Sequence, residues 1–293
     1  MDSLARENVG ARAEADPGRL PSIRRVGPGA PFRWLDGALV DLTRAPLPAF
    51  LHGLVIALVS AGLSLSLLRE WGAFWTIALT FGFILVALLL AMGPYETGRL
   101  LEAGRKPTVG RTLLVRRALR ADVVVLGVGL FFLFALWLRA AQVVYGLSTF
   151  TLHDTPEQLA AFAFGTDEGR VMLLVGSAVG AVFAFLTFSC VVVAAPMLLD
   201  SRVGVFAAVA TSVRATLTNM GPLLVWAGLI AALVALTAAT GFLPMIIVFP
   251  WLGLASWRAF RDLVAPDGML APDAGVSADW VSLRRRLFTR GGA

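Results

Sequence analysis

Long apolar blocks, separated by shorter polar segments, dominate the pattern of the chain. Each block holds about 19 or more residues with few charges, which is the length that an α-helix needs to cross the hydrocarbon core of a bilayer. The pattern therefore predicts an all-α fold, a polytopic membrane bundle. Its six transmembrane helices are predicted at Leu47–Leu68, Trp71–Met92, Val123–Tyr145, Val171–Leu199, Pro222–Thr240 and Phe242–Phe260.

Proline and glycine indicate where some of these blocks bend or turn. Pro196 lies near the end of the long fourth span and predicts that its last turns bend or leave the membrane. Gly241 predicts a tight turn between the fifth and sixth spans. In the loop before the fourth span, the stretch TPEQ (155–158) has the spacing of a helix N-terminus. We therefore expect a short helix over 159–164.

The six predicted spans divide the chain into a membrane domain and two tails. Residues 1–30 are rich in Arg, Pro and Gly and lack the apolar centre of a signal peptide, so we expect a disordered cytoplasmic tail. Residues 31–264 form the transmembrane domain. Residues 265–293 form a second cytoplasmic tail. In it, a basic amphipathic helix is predicted from Trp280, Leu283 and Leu287, which lie opposite Arg284–Arg286.

Positive charge is distributed unevenly between the two sides of the predicted bundle. The net charge is +6 at pH 7, and 22 of the 25 Lys and Arg residues fall on the side that holds both termini. The positive-inside rule places that side in the cytoplasm, where the basic groups face an anionic inner leaflet. No nucleic-acid-binding motif or aromatic platform accompanies the charge, so nucleic acid is not an expected partner.

The stretch ATSVRATLTNMGP (210–222) is too polar for lipid and too apolar for a flexible linker. It predicts an amphipathic helix that is capped at Asp200 or Ser201 and ended by Gly221–Pro222. This helix either lies on the cytoplasmic membrane surface or packs on the bundle as an ordinary loop helix. The two alternatives differ in what the apolar stripe touches. The stripe has steps of three and four residues and consists of Val203, Phe206, Ala210, Val213, Leu217 and Met220.

Similar patterns recur along the chain. A second stripe precedes the first span, and LTRAPLPAFLHGLVIALV (42–59) aligns without gaps with LTNMGPLLVWAGLIAALV (217–234). The second and sixth spans both end in an aromatic residue, an Arg and a Leu at the same spacing. These likenesses predict three units, each a cytoplasmic surface helix followed by a transmembrane hairpin. The second stripe is Phe32, Leu35, Leu39 and Leu42, and the matching ends are Tyr95, Arg99 and Leu101 against Trp257, Arg261 and Leu263.

Polar side chains in or beside the spans are the candidate functional residues, because burying them in lipid is costly. His52 could relay protons or bind a metal, or it could simply hydrogen-bond to a neighbouring helix. Arg139 could reach outward to the membrane surface or form an anion or ion-pair site with Gln142. Glu96, at the cytoplasmic end of the second span, is expected to pair with Arg99 as a weak surface bridge.

Motifs of known catalytic sites do not occur in the sequence. There is no HExxH, GxSxG or GxxxxGK[ST] motif and no acidic cluster inside a span. Two histidines make a poor metal site, and the single cysteine, Cys190, excludes an internal disulfide. We therefore predict no catalytic residue, no cofactor and no metal.

Four stretches together resemble an uncharacterised family of bacterial integral membrane proteins, a domain-of-unknown-function family whose members are sometimes labelled cytochrome c oxidase subunit I-like. The resemblance covers roughly residues 30–265 and implies a six-helix protein of the inner (plasma) membrane with no established activity. The oxidase label does not fit, since two haems and a copper need several intramembrane histidines and only His52 lies in a span. The stretches are GPYETGRLLEAG, LWLRAAQVVYG, PMLLDSRVGVFAAVATSVRATLTNMGPLLVWAGLI and LPMIIVFPWLGLASWRAFRDLV.

These observations favour a non-enzymatic accessory or scaffold protein, with the bilayer and another membrane protein or complex as its partners. A small-solute transporter or channel with a polar site around Arg139 and Gln142 is the alternative, and the repeated hairpins and the prolines of the sixth span, Pro244 and Pro250, support it. A membrane enzyme, as a redox or respiratory-complex subunit, is the second alternative.

Overall fold

The computed structural model describes residues 20–68, 91–151 and 156–265. The chain divides into a large unit, Ile23–Leu263, and a small unit made of Met1–Ser22 and Val264–Ala293. Two short strands, β1 (Ser22–Ile23) and β2 (Val264–Ala265), form a two-stranded sheet. The amphipathic helix predicted in the C-terminal tail lies outside the described residues.

The large unit is built from α-helices, as the apolar blocks predicted. A 3-10 turn at Arg116–Leu119 precedes the fifth of them. The helices are α1 (Ala30–Arg44), α2 (Pro46–Leu68), α3 (residues 91–102), α4 (Val109–Leu113), α5 (Ala121–Ser148), α6 (Pro156–Gly165), α7 (Asp167–Val191), α8 (Ala194–Asp200), α9 (Val205–Thr218), α10 (Met220–Ala239) and α11 (Met245–Leu263).

Four described stretches are long and apolar enough to cross a membrane, and they coincide with the first, third, fourth and fifth predicted spans. Of the other two, the second lies almost wholly outside the described residues. The sixth coincides with α11, whose C-terminal half carries charged residues and which buries one face against α1 and α2. The four stretches are Pro46–Leu63, Ala121–Ser148, Asp167–Asp200 and Met220–Ala239.

The fourth span breaks before its proline. Helix α7 ends at Val191, and α8 begins at Ala194 with Pro196 in its first turn. Proline is tolerated there because N–H groups of a first turn have no hydrogen-bond partner within the helix. The backbone N–H of Val193 in the break donates to the hydroxyl oxygen of Ser212 on α9 at 3.1 Å. The break between the two helices is therefore stabilised by a specific hydrogen bond.

The predicted cap of α9 was wrong. The helix begins at Val205 and not beside Asp200 or Ser201. Its first N–H donates at 3.2 Å to a carboxylate oxygen of Asp122, which lies in the first turn of α5. The partner is 83 positions away, so no local pattern could have indicated it.

The predicted end of α9 also lies too late, because Gly221 and Pro222 belong to the first turn of α10. A helix tolerates both residues there, since first-turn N–H groups have no partner inside the helix. The break itself falls at Asn219. The corresponding break between α1 and α2 falls at Ala45, which is one position from Asn219 in the ungapped alignment of 42–59 with 217–234.

The apolar stripe of α9 faces outward. The helix buries its small and hydroxyl side chains against α7, α8 and α5, whereas Phe206 is 85% exposed and Leu217 is also exposed. Helix α1 shares this arrangement only in part, because it exposes Phe32 and Leu39 but buries Trp34 and the stripe residue Leu35. Helix α9 therefore directs the large residues of its stripe away from the protein, as an interfacial helix does, whereas α1 has apolar residues on both faces.

Ordered structure begins before residue 31, where the disordered tail was expected to end. The side-chain oxygen of Asn219 accepts a hydrogen bond from the N–H of Val26 at 2.9 Å, and its amide nitrogen donates to the carbonyl oxygen of Arg24 at 3.0 Å. The amide at the α9–α10 break thus fixes the chain that leads into α1. Residues 1–19 lie outside the described part.

Helix α11 lies against α1 and α2 and is the centre of the described bundle. A glycine makes the closest approach possible, since a Cβ atom at Gly53 of α2 would lie 1.8 Å from the carbonyl oxygen of Ile246. Trp251 of α11 donates to the carbonyl oxygen of Leu35 at 2.8 Å. These contacts fix the position of α11 along its two neighbours.

Helices α5 and α7 pack along each other, and α6 packs on α7. The short helices α8 and α9 contact this pair, and they also contact α11 and α10 respectively. On the other side of α10, Trp34 and Trp226 meet edge to face with ring centroids 5.8 Å apart, which joins α1 to α10. Tertiary contacts therefore concentrate at the end of the bundle where the short helices lie.

Candidate functional site

Most of the charged side chains of the large unit gather at one end of the helices. We call this the arginine-rich end. It is the end at which α2, α5 and α10 begin and α3, α8 and α11 finish, and the sequence predicts that it faces the cytoplasm. Residues that are far apart in the chain meet there, so it is the strongest candidate for a functional surface among the described residues.

Arg261 of α11 joins two other helices at this end. Its Nε and Nη2 atoms donate to the same carboxylate oxygen of Glu102 at 2.9 and 2.7 Å, and its Nη1 atom donates to Asp200 at the end of α8 at 3.3 Å. The indole N–H of Trp257 donates to the second oxygen of Glu102 at 3.2 Å. One guanidinium thus links α3, α8 and α11, in a fork geometry that suits carboxylates.

Glu96 and Arg99 form a second pair on α3. Nε and Nη2 of Arg99 donate to the two oxygens of Glu96 at 2.7 and 2.5 Å, and this hydrogen bond raises the pKa of Arg99 above its ordinary value. The expectation of a surface bridge needs correcting, because Glu96 is only 5% exposed. Tertiary packing, which residue spacing does not reveal, makes this a largely buried pair whose loss would leave a desolvated charge.

A third pair connects α1 to α11. Arg258 donates from Nε to a carboxylate oxygen of Asp41 at 2.6 Å, and Asp41 is buried. The sequence analysis singled out neither residue. Aspartate is rarely buried unless it is paired, and the nearby arginine explains its burial here.

Packing around α3 also buries a tyrosine. Tyr95 is desolvated, which raises the pKa of its phenol from 10.0 to about 12, although a hydrogen bond with Ser256 partly opposes the shift. Nearby, a Cβ atom at Gly98 would lie 2.7 Å from the ring of Trp257. Helices α3 and α11 are therefore in contact at the level of the charged cluster.

His52 lies apart from the cluster and between two carbonyl groups. Its Nδ1 atom is 2.6 Å from the carbonyl oxygen of Pro48 on its own helix, and its Nε2 atom is 2.9 Å from that of Thr112 on α4. The side chain is 1% exposed. Both ring nitrogens already face protein acceptors, so in this arrangement neither has a lone pair directed at a metal or a solute.

Arg139 and Gln142 face outward from α5. The guanidinium Nη1 atom donates to the side-chain oxygen of Gln142 at 3.1 Å, one helical turn away, and both residues are exposed. The structure therefore brings these two candidates together, but it places them away from His52, Glu96 and the charged cluster. Relative to the described helices, they occupy the outer surface of α5.

Two further arginines hold the end of α8. Arg117 donates from Nη1 to the carbonyl oxygen of Leu199 at 3.3 Å, and Arg120 donates from Nη1 to those of Leu198 and Ser201 at 3.1 and 2.7 Å. The last carbonyls of a helix lack helical partners and carry partial negative charge. The two cations therefore satisfy these groups and connect the start of α5 to α8.

The sequence analysis did not predict most of these contacts, but one similarity that it noted involves two of the segments in contact. The matching ends of the second and sixth predicted spans, Tyr95 to Leu101 and Trp257 to Leu263, are the two segments that meet in the cluster. The similarity was interpreted as part of a repeat, and the two similar segments also contact each other. Over the described ranges, no three His, Cys, Asp or Glu side chains lie close enough together to hold a metal ion.

Comparison with family models finds a match, over residues 76–200, to a family described as "Predicted integral membrane protein (DUF2189)". The match confirms the predicted resemblance to an uncharacterised family of integral membrane proteins. The matched segment runs from the second predicted span to the end of α8 and so includes Glu96, Arg99, Glu102 and Asp200. Comparisons with curated proteins and with solved structures found no match.

Proposed function

We propose that this integral membrane protein is a non-enzymatic accessory or scaffold subunit of a membrane complex. One observation carries the proposal. Each of the polar residues that the spans offered as functional candidates bonds to another group of the protein: His52 to two carbonyls, Glu96 to Arg99, and Arg139 to Gln142. These polar groups therefore form bonds within the protein, which is a structural role.

The arginine-rich end supports this role because its bonds fix several helices relative to one another. Arg261 links α3, α8 and α11, Arg258 links α11 to α1, and Arg120 links α5 to α8. An alternating-access carrier needs parts that move against each other around a central site. A framework connected in this way is better suited to holding a partner in a fixed position.

Two helices have apolar surface for a partner to cover. In both α5 and α10, only 17% of the most apolar window is buried within the described protein, and large side chains such as Leu136 and Leu236 are exposed. In a bilayer, lipid tails or the helices of another membrane protein cover such faces. We propose that one of the two faces contacts the partner.

The proposed placement has six spans in the bacterial inner membrane, with both termini and the arginine-rich end in the cytoplasm. Its support is the distribution of 22 of the 25 Lys and Arg residues on that side, together with the outward-facing stripe of α9. Reporter fusions test it. A fusion after residue 155 should report the periplasm, and a fusion at either terminus should report the cytoplasm.

We also propose that the chain contains three related units. The breaks before α2 and α10 fall within one position of each other in the alignment, and the helix before each break leaves large apolar residues exposed, Phe32 and Leu39 on α1 and Phe206 and Leu217 on α9. Helix α5 follows the short helices of residues 109–119 in the same way. All three units run in the same direction, a parallel repeat compatible with a scaffold.

The transport alternative depends on Arg139 and Gln142, and their exposure on α5 weighs against it. A carrier or channel would need these groups to line a path through the bundle. Flux of a broad panel of small ions and metabolites into vesicles that contain the purified protein tests this alternative. A flux that R139A abolishes would favour transport and contradict the scaffold proposal.

Purification from the host at native expression level tests the proposed function directly. Extraction in a mild detergent, followed by mass spectrometry of the isolated complex, should identify a reproducible membrane protein partner. L136N on α5 and L236N on α10 form a matched pair, since the two leucines are 59% and 58% exposed. Loss of the partner in one variant and not in the other would identify the contact face. A chain that is isolated alone under these conditions contradicts the proposal.

An optical spectrum and a metal analysis of the same sample test the redox alternative. A haem absorbance band or a stoichiometric metal would contradict the non-enzymatic assignment. We expect neither.

A further inference from the structure

The arginine-rich end contains an open groove between the start of α5 and the end of α8. Its volume is about 560 Å³, which is large enough for a phosphate group and part of the molecule that carries it. Three of its lining residues are arginines and one is an acid, so the groove is positively charged overall. The lining residues are Arg117, Arg120, Leu199, Asp200, Ser201 and Arg202.

Two of these arginines are held in position by the backbone. The bonds from Arg117 to Leu199 and from Arg120 to Leu198 and Ser201 use one terminal nitrogen of each guanidinium. A guanidinium has five N–H donors in a fixed plane. Arg120 also lies 3.7 Å from a carboxylate oxygen of Asp122. These anchors orient the charged planes before any ligand arrives, which lowers the entropic cost of binding an anion.

Asp200 is the group that opposes an anion in the groove. Its carboxylate accepts a hydrogen bond from Arg261 on α11 at 3.3 Å, and the charge of Arg99 also acts on it. These cations lie outside the set of residues that line the groove. The charge of Arg117 also acts on Asp200, so this carboxylate is balanced partly from outside the groove, by Arg261 and Arg99, and partly from inside it. With three arginines to one carboxylate, the groove keeps an excess of positive charge for a ligand.

The neighbouring helix indicates which kind of anion reaches this groove. Arg202 is exposed and precedes α9, and Phe206 in the first turn of α9 is 85% exposed at the start of the outward-facing stripe. An interfacial helix places such a stripe among the acyl chains and its flanking cations among the headgroups. The groove then lies at the depth of the lipid phosphates, in the leaflet that is rich in anionic lipids.

We propose that this groove binds the phosphate of an anionic phospholipid headgroup. Arg117 and Arg120 contact the phosphate from the protein side, and Arg202 contacts it from the open side. The assignment rests on the proposed membrane placement of α9 and is independent of whether the chain has a protein partner. A lipid held here touches α5, α8 and the start of α9 at once and stabilises their junction.

Lipid binding to the purified full-length protein tests the proposal. The chain is placed in a neutral detergent, and native mass spectrometry measures the affinity for phosphatidylglycerol and for phosphatidylcholine as the uncharged comparison. We expect a clear preference for phosphatidylglycerol. R202A should weaken it about fivefold, which corresponds to about 1 kcal/mol for one arginine near the surface.

R214A is the matched control. Arg214 is an exposed arginine on α9 that does not line the groove, and its removal changes the net charge by the same amount. We expect this variant to keep the affinity of the unmodified protein. An equal loss in both variants would show diffuse attraction and overturn the site, as would equal affinity for the two lipids. Thermal unfolding of both variants checks that they are folded.

Inorganic phosphate distinguishes a lipid from a soluble ligand. For a headgroup site that also uses contacts at the membrane surface, millimolar phosphate should not displace phosphatidylglycerol. Displacement by phosphate would assign the groove to a free anion and overturn the lipid assignment. Copurification of the protein partner is measured separately, so failure of the lipid site and failure of the accessory role give different results.

Discussion

His52 on α2 and Thr112 on α4 are joined across 60 positions of sequence, with the Nε2 atom of the ring 2.9 Å from the carbonyl oxygen of Thr112. The other ring nitrogen faces the carbonyl oxygen of Pro48, so one imidazole connects a predicted span to the short helix that precedes the next described span. Both nitrogens can donate at once only when the ring carries two protons. His52, a candidate proton relay or metal ligand in the sequence, thus lies at the contact between α2 and α4.

Replacement of His52 should lower the stability of the folded protein. H52A removes the link and leaves the carbonyl oxygen of Thr112 without its partner in a buried site, at a cost of about 1–3 kcal/mol. Thermal unfolding in detergent measures the loss. L58A, at a 65% exposed position on the same helix, serves as the control and should have little effect. Equal stability of H52A and the unmodified protein would rule out the structural role.

The close approach of α2 and α11 predicts a large difference between two glycines of one helix. G53A places a methyl group 1.8 Å from the backbone of Ile246, and a backbone atom cannot move aside cheaply, so we expect a loss of about 1–3 kcal/mol or more. A Cβ atom at Gly62 would have no heavy atom within 4 Å. G62A should be neutral or stabilising, because alanine favours a helix over glycine.

Chemical denaturation of both variants tests this prediction. A similar stability for G53A and G62A would show that the two helices are not in contact at Gly53.

The buried pair between Asp41 and Arg258 should matter more than an exposed pair of the same type. D41A leaves Arg258 without its carboxylate in a partly buried position, and we expect a loss of about 3 kcal/mol. In D41A/R258A the loss should be smaller, because the arginine that lost its carboxylate is removed as well. A double-mutant cycle of unfolding free energies measures the coupling between the two residues.

D167N provides the matched control, since Asp167 pairs with Arg170 at an exposed site on α7. Screening by water makes such a pair weak, and we expect no measurable change in stability. A loss as large as that of D41A would contradict the assigned difference in burial.

Burial of Tyr95 predicts that the protein loses stability in alkaline solution. The pKa of its phenol is about 12 in the folded chain and 10.0 in the ordinary reference, so the unfolded chain releases this proton first as the pH rises. The contribution of Tyr95 to the free energy of unfolding is fully present below pH 10.0 and is lost between pH 10.0 and about pH 12. The total loss is about 2–3 kcal/mol at most.

Y95F removes the proton and should remove this part of the pH dependence. Unfolding free energies of both proteins over the alkaline range, together with the ultraviolet absorbance of tyrosinate, measure the effect. Parallel curves for the two proteins would show that Tyr95 ionises normally in the folded state.

The sequence by itself determined the class of this protein and the positions of most of its long helices. The physical reason is that a helix needs about 20 consecutive apolar residues to cross the hydrocarbon core of a bilayer. This requirement concerns neighbouring residues only, so it is visible in the sequence. The amphipathic stripe of α9 and the short helix after residue 155 were visible for a similar reason, because helical periodicity is also local. The family resemblance followed from contiguous stretches of the same kind.

Only the tertiary structure decided what the polar residues do. Arg258 and Asp41 are 217 positions apart, and Arg261 and Glu102 are 159 positions apart, so no spacing in the sequence connects them. The start of α9 was misplaced because its cap is Asp122 of α5 and not a neighbouring residue. Which face of α1 or α9 touches protein also depends on what packs behind it. Local patterns fix where helices form, whereas the pairing of charges depends on which helices meet.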